Sequence, residues 1–228
     1  FEKTIINYGR LEFDTPQTAY NRQTDKAVTV SAKDQVRMYC HYYMPQYLKE
    51  AETVWHKMHQ SIMKMAEKCN KQVVMIDIGC GPATYGIAFA QRFAAEMNKI
   101  EYVGVDTSEE MLRMGERLFN ERQTSNQQPS EKQWPNVEHR FTSSIDEAAD
   151  ILKSDNETEE SCLLSRFVVF NIAHLLACID GNMAETLAMK INGIIKRYPQ
   201  NKYTVVVTDN DFDRRMRSYG VFKRCVNN

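Results

Sequence analysis

The sequence has no charge bias and no long apolar run. Its 228 residues carry 29 Lys and Arg against 30 Asp and Glu, so the formal net charge is −1. Balanced charge argues against a protein that binds nucleic acid through bulk electrostatics, although a local basic patch would not change that total. Because no apolar run approaches the roughly 18 residues that a membrane span needs, we expect no membrane association.

Cysteines are few and follow no pattern. The six, at positions 40, 69, 80, 162, 178 and 225, include no C-x-x-C pair and have no zinc-like spacing to a histidine. Their low density also argues against a disulfide framework. We therefore predict reduced, mostly buried thiols, no metal site and a cytoplasmic location without a secretory signal. The chain opens on Phe1 rather than Met, which leaves open that residues precede it.

The first 70 residues differ in pattern from the rest of the chain. Residues 1–32 are polar and without a clear period, which predicts an irregular arm with at most a short helix. Within 33–69, apolar and aromatic residues recur at spacings of 3, 4 or 7, as on a helix. Pro45 disfavours helix at the residue before it, so we expect two helices or one kinked helix.

From residue 72 onward, short apolar runs alternate with helical patterns five times. We predict strands near 73–78, 102–106, 137–141, 161–169 and 203–208, and helices near 83–98, 107–120, 145–152, 170–178 and 183–197. Such alternation is typical of an α/β fold, a doubly wound and mainly parallel sheet. Residues 1–70 are then an N-terminal arm and helical cap, and residues 71–228 a Rossmann-like domain. We expect the cap to cover the carboxyl edge of the sheet, where such sheets bind ligands.

A glycine-rich segment follows the first of these strands. It reads Asp77-Ile-Gly79-Cys80-Gly81-Pro-Ala-Thr84, and an acid, Asp106, ends the next strand. Glycines at such a turn let a ligand approach the backbone, and an acid in the second position can accept both ribose hydroxyls of a nucleoside. Thr84 stands where a dinucleotide fingerprint has its third glycine, which favours a nucleoside without phosphates over a nicotinamide cofactor.

These two segments resemble motifs of the class I S-adenosylmethionine-dependent methyltransferases. The similar stretches are Val74-Met-Ile-Asp-Ile-Gly-Cys-Gly81 and Val103-Gly-Val-Asp-Thr-Ser-Glu-Glu-Met-Leu112, within a likeness that spans about residues 72–210. The resemblance implies S-adenosyl-L-methionine as the cofactor. Asp77 and the Gly79–Gly81 backbone would hold its methionine part, and Asp106 its ribose. The remaining cofactor contacts that it implies are Cys80, Thr107, Met111 beside the adenine, Ser143 on the adenine amine, and Ser165. A helix N-cap is an equal alternative for Ser143.

The segment after the fourth strand lines the methyl-transfer site in that family. The resemblance therefore implies Arg166 and His174 as catalytic residues, with His174 a candidate general base, and Phe167 and Asn171 as substrate contacts. Tyr39 and Tyr43 in the cap could wall a small-molecule pocket. Plain packing is the alternative both for His174 and for the cap tyrosines.

Two signatures of nucleic-acid base methylation are missing from the sequence. There is no Asn/Asp-Pro-Pro-Tyr/Phe string and no Pro-Cys pair. We predict transfer to an O or N nucleophile, with a small molecule as the first candidate acceptor. Alternatives are an RNA or protein methyltransferase working in a complex, and a methyltransferase-like subunit without catalysis.

The C-terminal end is short for this family. About 20 residues follow Thr208, where the family has a hairpin of two strands, and they leave room for one short strand near 219–225. An open sheet edge invites pairing, so we expect a second copy or another protein to cover it.

Overall fold

The structure, a computed structural model, describes residues 13–21, 26–124, 134–153, 165–209 and 216–226. Its elements are, in chain order, β1 (Gln17–Asn21), β2 (Lys26–Val30), α1 (Ala32–Tyr42), α2 (Met44–Glu67), β3 (Gln72–Ile78), α3 (Thr84–Phe93), β4 (Lys99–Val105), α4 (Glu109–Thr124), β5 (Val137–Thr142), α5 (Ile145–Ala149) with a 3-10 turn (Asp150–Leu152), β6 (Phe167–Ala173), α6 (Gly181–Arg197), β7 (Lys202–Thr208) and α7 (Met216–Val226). A break between α1 and α2, with Pro45 in the first turn of α2, confirms two helices in the cap.

Five of the strands form one parallel sheet in the order β5-β4-β3-β6-β7. The chain winds outward from β3 through β4 to β5, then returns to the other side of β3 for β6 and β7. The direction of winding therefore reverses between β3 and β6. In open parallel sheets, ligands bind at the carboxyl ends of the strands beside such a reversal. The predicted α/β class with a parallel sheet is confirmed.

Each face of the sheet is covered by its own apolar core, because side chains alternate between faces along a strand. On one face, Val73 and Met75 of β3 pack with residues of α2 and α3, including Trp55 and Phe89. On the other face, alternate residues of the same strand, such as Ile76, pack with α5, α6 and α7. Burial on both faces explains why these strands read as continuous apolar runs.

The cap is joined to the sheet domain by a buried aromatic contact. Trp55 of α2 is fully buried and donates its indole N–H to the carbonyl of Tyr85 at 3.0 Å, while its ring meets Phe89 edge-on. The arm before the cap helices makes another contact, where the Ser108 hydroxyl donates to Asp14 at 3.0 Å. The cap therefore reaches the carboxyl edge, as predicted.

Three predicted elements are wrong. Part of the irregular arm is an antiparallel hairpin, β1 with β2, whose strands are rich in Thr and Val. The fourth strand of the sheet, β6, extends to Ala173, so residues 170–173 are strand rather than helix. The segment near 219–225 belongs to helix α7, because Tyr219, Phe222 and Val226 form a helical stripe that packs on the core.

Strand β7 is at the end of the sheet order, with no neighbour beyond it among the described residues. The expected second copy or partner protein at this edge stays a prediction. No helix within the described ranges is both long and apolar enough to span a membrane.

Candidate functional site

The glycine segment forms the turn from β3 into α3, at the carboxyl edge of the sheet. Gly79 and Gly81 adopt positive φ angles of 72° and 53°, a conformation that side chains disfavour. The N–H groups of Gly79 and Cys80 both donate to the Val105 carbonyl, at 2.8 and 3.0 Å, which ties the turn to the end of β4. A Cβ at Gly81 would meet nothing within 4 Å, so this backbone faces open space.

Asp106 follows β4 directly and turns its carboxylate onto this loop. One oxygen accepts the Gly81 N–H at 2.8 Å, and the other accepts the Ser108 N–H at 2.9 Å. Burial raises the pKa of the Asp106 carboxyl, and the backbone N–H bonds oppose that rise. The structure thus brings together the glycine loop and the acid that the sequence motif paired.

Asp77 lies beneath the loop rather than in it. It is 1 % exposed, and its oxygens accept from the Tyr102 hydroxyl at 3.0 Å and from the Asn171 amide at 2.7 Å. Burial raises the pKa of Asp77 to about 6, although both hydrogen bonds act against the shift. Asp77 therefore supports the loop from inside and does not present its carboxylate to a ligand. Asn171 is fully buried beside Asp77, and its predicted contact with the substrate stays a prediction.

The tyrosine that reaches Asp77 depends on a third glycine. The ring of Tyr102 lies directly over Gly86 of α3, where a Cβ would overlap ring carbons. The same ring stacks on Phe119 at a centroid distance of 4.6 Å. Gly86 is therefore needed for close packing of α3 on the sheet, which places the Tyr102 hydroxyl under the loop.

The other predicted cofactor residues of this edge differ in exposure. The Cys80 thiol is buried, and burial raises its pKa, so Cys80 offers a ligand only its backbone. Met111 is buried at the start of α4, whereas Thr107 and Ser143 are exposed, Ser143 just past the end of β5. The N-cap of α5 is Ser144, whose hydroxyl accepts from Glu147, so Ser143 is not the cap.

His174 is the first residue after β6 and lies across the winding reversal from the glycine loop. Its imidazole Nε2 is 3.3 Å from a Glu50 carboxylate oxygen of α2. Its ring lies 4.7 Å from that of Tyr47 and 6.2 Å from that of Tyr85, centroid to centroid. The next residue, Leu175, packs so closely on Gly79 that a Cβ there would meet its side chain at 3.2 Å.

The cap tyrosines form an aromatic row on α1 and α2. The Tyr39 ring is 5.7 Å from that of Tyr43 and 6.3 Å from that of Tyr47, and Phe13 meets it edge-on. Burial raises the pKa of the Tyr39 hydroxyl, with a smaller contribution from the charge of Asp106. Tyr39 thus lies near the site, while Tyr43 is 41 % exposed at the end of the row.

Three predicted site residues lie at the opposite edge of the sheet. Ser165 and Arg166 precede β6 and Phe167 begins it, in register with Val73 at the start of β3. Phe167 is core, Ser165 donates to the Cys69 sulfur at 3.6 Å, and Arg166 pairs with Glu101 at 3.3 Å. Their assignment to the cofactor or substrate site is wrong because β6 ends four residues later than predicted.

The sequence prediction missed Glu50, Tyr85 and Tyr102. Glu50 had a usable signal, since it lies three residues after Tyr47 and four before Val54, on the predicted apolar face of the helix. Tyr85 and Tyr102 read as core residues, and their contacts with His174 and Asp77 arise from packing between elements.

The parallel sheet and the glycine loop at its carboxyl edge together define a Rossmann-like arrangement. Residues 69–177 match the model of a family described as a methyltransferase domain. This part of the chain is accordingly a methyltransferase domain of class I type, and such enzymes generally use S-adenosylmethionine. No curated protein matches the chain. A solved structure titled "Structure of the Pnkp1/Rnl/Hen1 RNA repair complex" is similar over 75 % of this chain and 35 % of that one, so the chain spans about a third of its length, with 16 % identity and a TM-score of 0.36.

Proposed function

We propose that this protein binds S-adenosyl-L-methionine at the carboxyl edge of the sheet and transfers its methyl group to an O or N nucleophile of a small molecule. The observation that carries the proposal is the contact between Asp106 and the Gly81 N–H at 2.8 Å. The Asp106 carboxylate thus lies beside a backbone that faces open space, and a carboxylate in that position is suited to accept the ribose hydroxyls of the cofactor.

The residues at this edge fit that cofactor. Gly79 and Gly81 leave the loop without side chains, and Thr107, Met111 and Ser143 lie around Asp106 at the ends of β4 and β5. When bound, the cofactor supplies a methyl group already activated on a sulfonium. The chain then has to hold the acceptor in line with that methyl group, exclude water and take up a proton where the acceptor has one to lose.

A small-molecule acceptor is supported by the cap. Helices α1 and α2 bring Tyr39 and Tyr47 next to His174 and the Asp106 side of the site. Aromatic walls with a few polar groups are typical of small-molecule pockets. The balanced charge of the chain does not favour a nucleic acid bound by charge alone.

The proposal is tested by calorimetric titration with S-adenosylmethionine, its demethylated product S-adenosylhomocysteine, and NADH. We expect binding of the first two and none of NADH. Asp106→Ala should weaken S-adenosylmethionine binding roughly 10- to 100-fold, because a hydrogen bond to a charged group contributes about 1.5–3 kcal/mol.

The control for that variant is Glu109→Ala, which removes an exposed carboxylate paired with Arg113 at the start of α4, three residues after Asp106. It should leave the affinity unchanged. Equal affinities of Asp106→Ala and the wild type would remove Asp106 from the site, and binding of NADH alone would overturn the cofactor class.

A further inference from the structure

The backbone of His174 is held in an unusual conformation at the site. Its φ is 58°, in the left-handed region, which non-glycine residues seldom adopt without support. Two hydrogen bonds give that support: the His174 N–H donates to the Thr208 carbonyl at 2.7 Å, and its carbonyl accepts from the Cys178 thiol at 3.4 Å. These backbone contacts at the carboxyl ends of β6 and β7 therefore fix the direction in which the imidazole leaves the chain.

The imidazole is also confined from the side of the cap. The Tyr47 ring lies against it at 4.7 Å and the Tyr85 ring meets it at 68° from α3. Burial and the nearby charge of Glu50 raise the pKa of the Tyr85 hydroxyl, so at neutral pH Tyr85 is a hydrogen-bond donor and not a base. Of these three rings, the imidazole is the one with a nitrogen lone pair that can accept a proton.

The two ring nitrogens of His174 have different surroundings. Both are buried and neither forms a hydrogen bond to a described residue, but Nε2 is the nitrogen that lies 3.3 Å from a Glu50 carboxylate oxygen. A carboxylate beside one nitrogen favours the proton on that nitrogen, which leaves the lone pair on the other. A buried polar atom without a partner is costly unless a ligand supplies one.

We propose that Glu50 is a positioning residue that holds the His174 proton on Nε2, so that Nδ1 accepts the proton of a hydroxyl acceptor during methyl transfer. This inference rests on the proposed function. In the step, the acceptor oxygen bonds to the methyl carbon and the carbon–sulfur bond of the sulfonium breaks. The hydroxyl proton passes to Nδ1, which gives a methyl ether, a neutral thioether and an imidazolium that faces Glu50.

The acceptor class follows from the need for a base. A neutral amine is already a nucleophile when its lone pair is free, whereas a hydroxyl is a weak nucleophile until its proton is removed. A half-buried imidazole with one nitrogen beside a carboxylate and the other without a protein partner among the described residues is suited to that removal. The aromatic row of Tyr39, Tyr43 and Tyr47 beside it favours a flat acceptor, a phenol rather than an aliphatic alcohol.

The first test reads the tautomer of His174 by long-range proton–nitrogen correlation on protein labelled with nitrogen-15. We expect the Nε2-protonated form in the wild type and a mixture of the two tautomers in Glu50→Gln. Glu52→Gln is the matched control, since Glu52 is an exposed residue two positions further along α2, and it should give the wild-type spectrum. A Glu50→Gln spectrum equal to the wild type, or a wild-type proton on Nδ1, would overturn the proposal.

The second test measures transfer of a tritium-labelled methyl group from S-adenosylmethionine to catechol and, separately, to aniline. We expect labelled product from catechol, lowered roughly 10-fold or more in Glu50→Gln and at least 100-fold in His174→Gln, since a positioned base typically contributes 100-fold or more. Methylation of aniline alone overturns the hydroxyl acceptor. Where neither probe is methylated, the tautomer result decides.

Calorimetry on the same variants separates the two proposals. If Glu50→Gln binds S-adenosylmethionine like the wild type but keeps the wild-type tautomer, the positioning role fails and the proposed function stands. If the wild type does not bind S-adenosylmethionine, the proposed function fails, whatever the tautomer of His174.

Discussion

Polar groups are paired more completely at the amino edge of the sheet than at its carboxyl edge. At the amino edge, Glu101 is buried and lies 2.6 Å from Lys99 and 3.3 Å from Arg166, and Lys99 also reaches Glu138 at 3.0 Å. The Arg166 guanidinium donates in addition to the Ile151 carbonyl. These residues line a groove of about 250 Å³, yet each of these charges has a partner of opposite sign.

The carboxyl edge pairs its groups less completely. Both ring nitrogens of His174 are buried there without a hydrogen-bond partner in the described part of the chain. Positive φ angles do not separate the edges, because Asn70 and Lys71 before β3 have them as well as Gly79, Gly81 and His174. Buried polar atoms without a partner are rare in native proteins, and a bound ligand is one way to satisfy them. The comparison shows that the charges around the amino-edge groove are paired with each other, while polar atoms at the carboxyl edge are left without a protein partner among the described residues, which supports the ligand site proposed there.

The largest expected effect comes from the buried acid beneath the carboxyl edge. Burial raises the folded-state pKa of Asp77 from 3.8 to about 6, so the folded protein holds a proton that the unfolded chain has lost between those values. The contribution of Asp77 to stability is full below about pH 4 and is lost as the pH rises through 6. Asp77→Asn should therefore gain about 3 kcal/mol in unfolding free energy relative to the wild type between pH 4 and pH 7, measured by urea denaturation.

An exposed acid provides the contrast for that experiment. Hydrogen bonds from Ser31 and then Arg37 lower the pKa of Asp34, so its contribution has the opposite sign and is lost as the pH falls. Asp34→Asn should lose a little stability at neutral pH. If the unfolding free energies of the wild type and Asp77→Asn changed with pH in parallel, the folded-state pKa of Asp77 would not be raised.

An intermediate effect is expected at the amino edge. Arg166→Met leaves the buried Glu101 with Lys99 as its remaining partner, which should lower the unfolding free energy by about 1–3 kcal/mol. The affinity for S-adenosylmethionine should not change. Arg113→Met, which breaks exposed pairs on α4, should cost less than about 1 kcal/mol. A loss of affinity for S-adenosylmethionine in Arg166→Met would instead show that Arg166 contributes to the cofactor site.

The smallest effect separates two neighbouring serines at the end of β5. If Ser143 accepts a bond from the adenine amine, Ser143→Ala should weaken S-adenosylmethionine binding roughly 2- to 10-fold, because a neutral hydrogen bond contributes about 0.5–1.5 kcal/mol. Ser144→Ala removes the N-cap of α5 instead and should lower the melting temperature without changing the affinity. If both variants bind like the wild type, Ser143 makes no cofactor contact.

Local patterns predicted the parts of the fold whose residues interact nearby in the sequence. The run 73–78 before Gly79 and the acid at the end of the next strand correctly located β3, the loop and β4, because strand, turn and helix signals coincide there. The apolar run 167–172 is ambiguous, since a strand buried on both faces and a buried helix look alike in sequence. That ambiguity shifted β6 by four residues and moved Arg166, Phe167 and Ser165 into the site.

The sequence by itself determined the α/β class, the glycine turn and its partner Asp106, because each follows from local conformational preference and from the order of elements. Only the tertiary structure decided that Asp77 and Asn171 are buried supports, that Arg166 belongs to the opposite edge, and that Glu50 faces His174. Glu50 and His174 are 124 positions apart in the chain. Their contact depends on how α2 packs against the sheet, which no local pattern encodes.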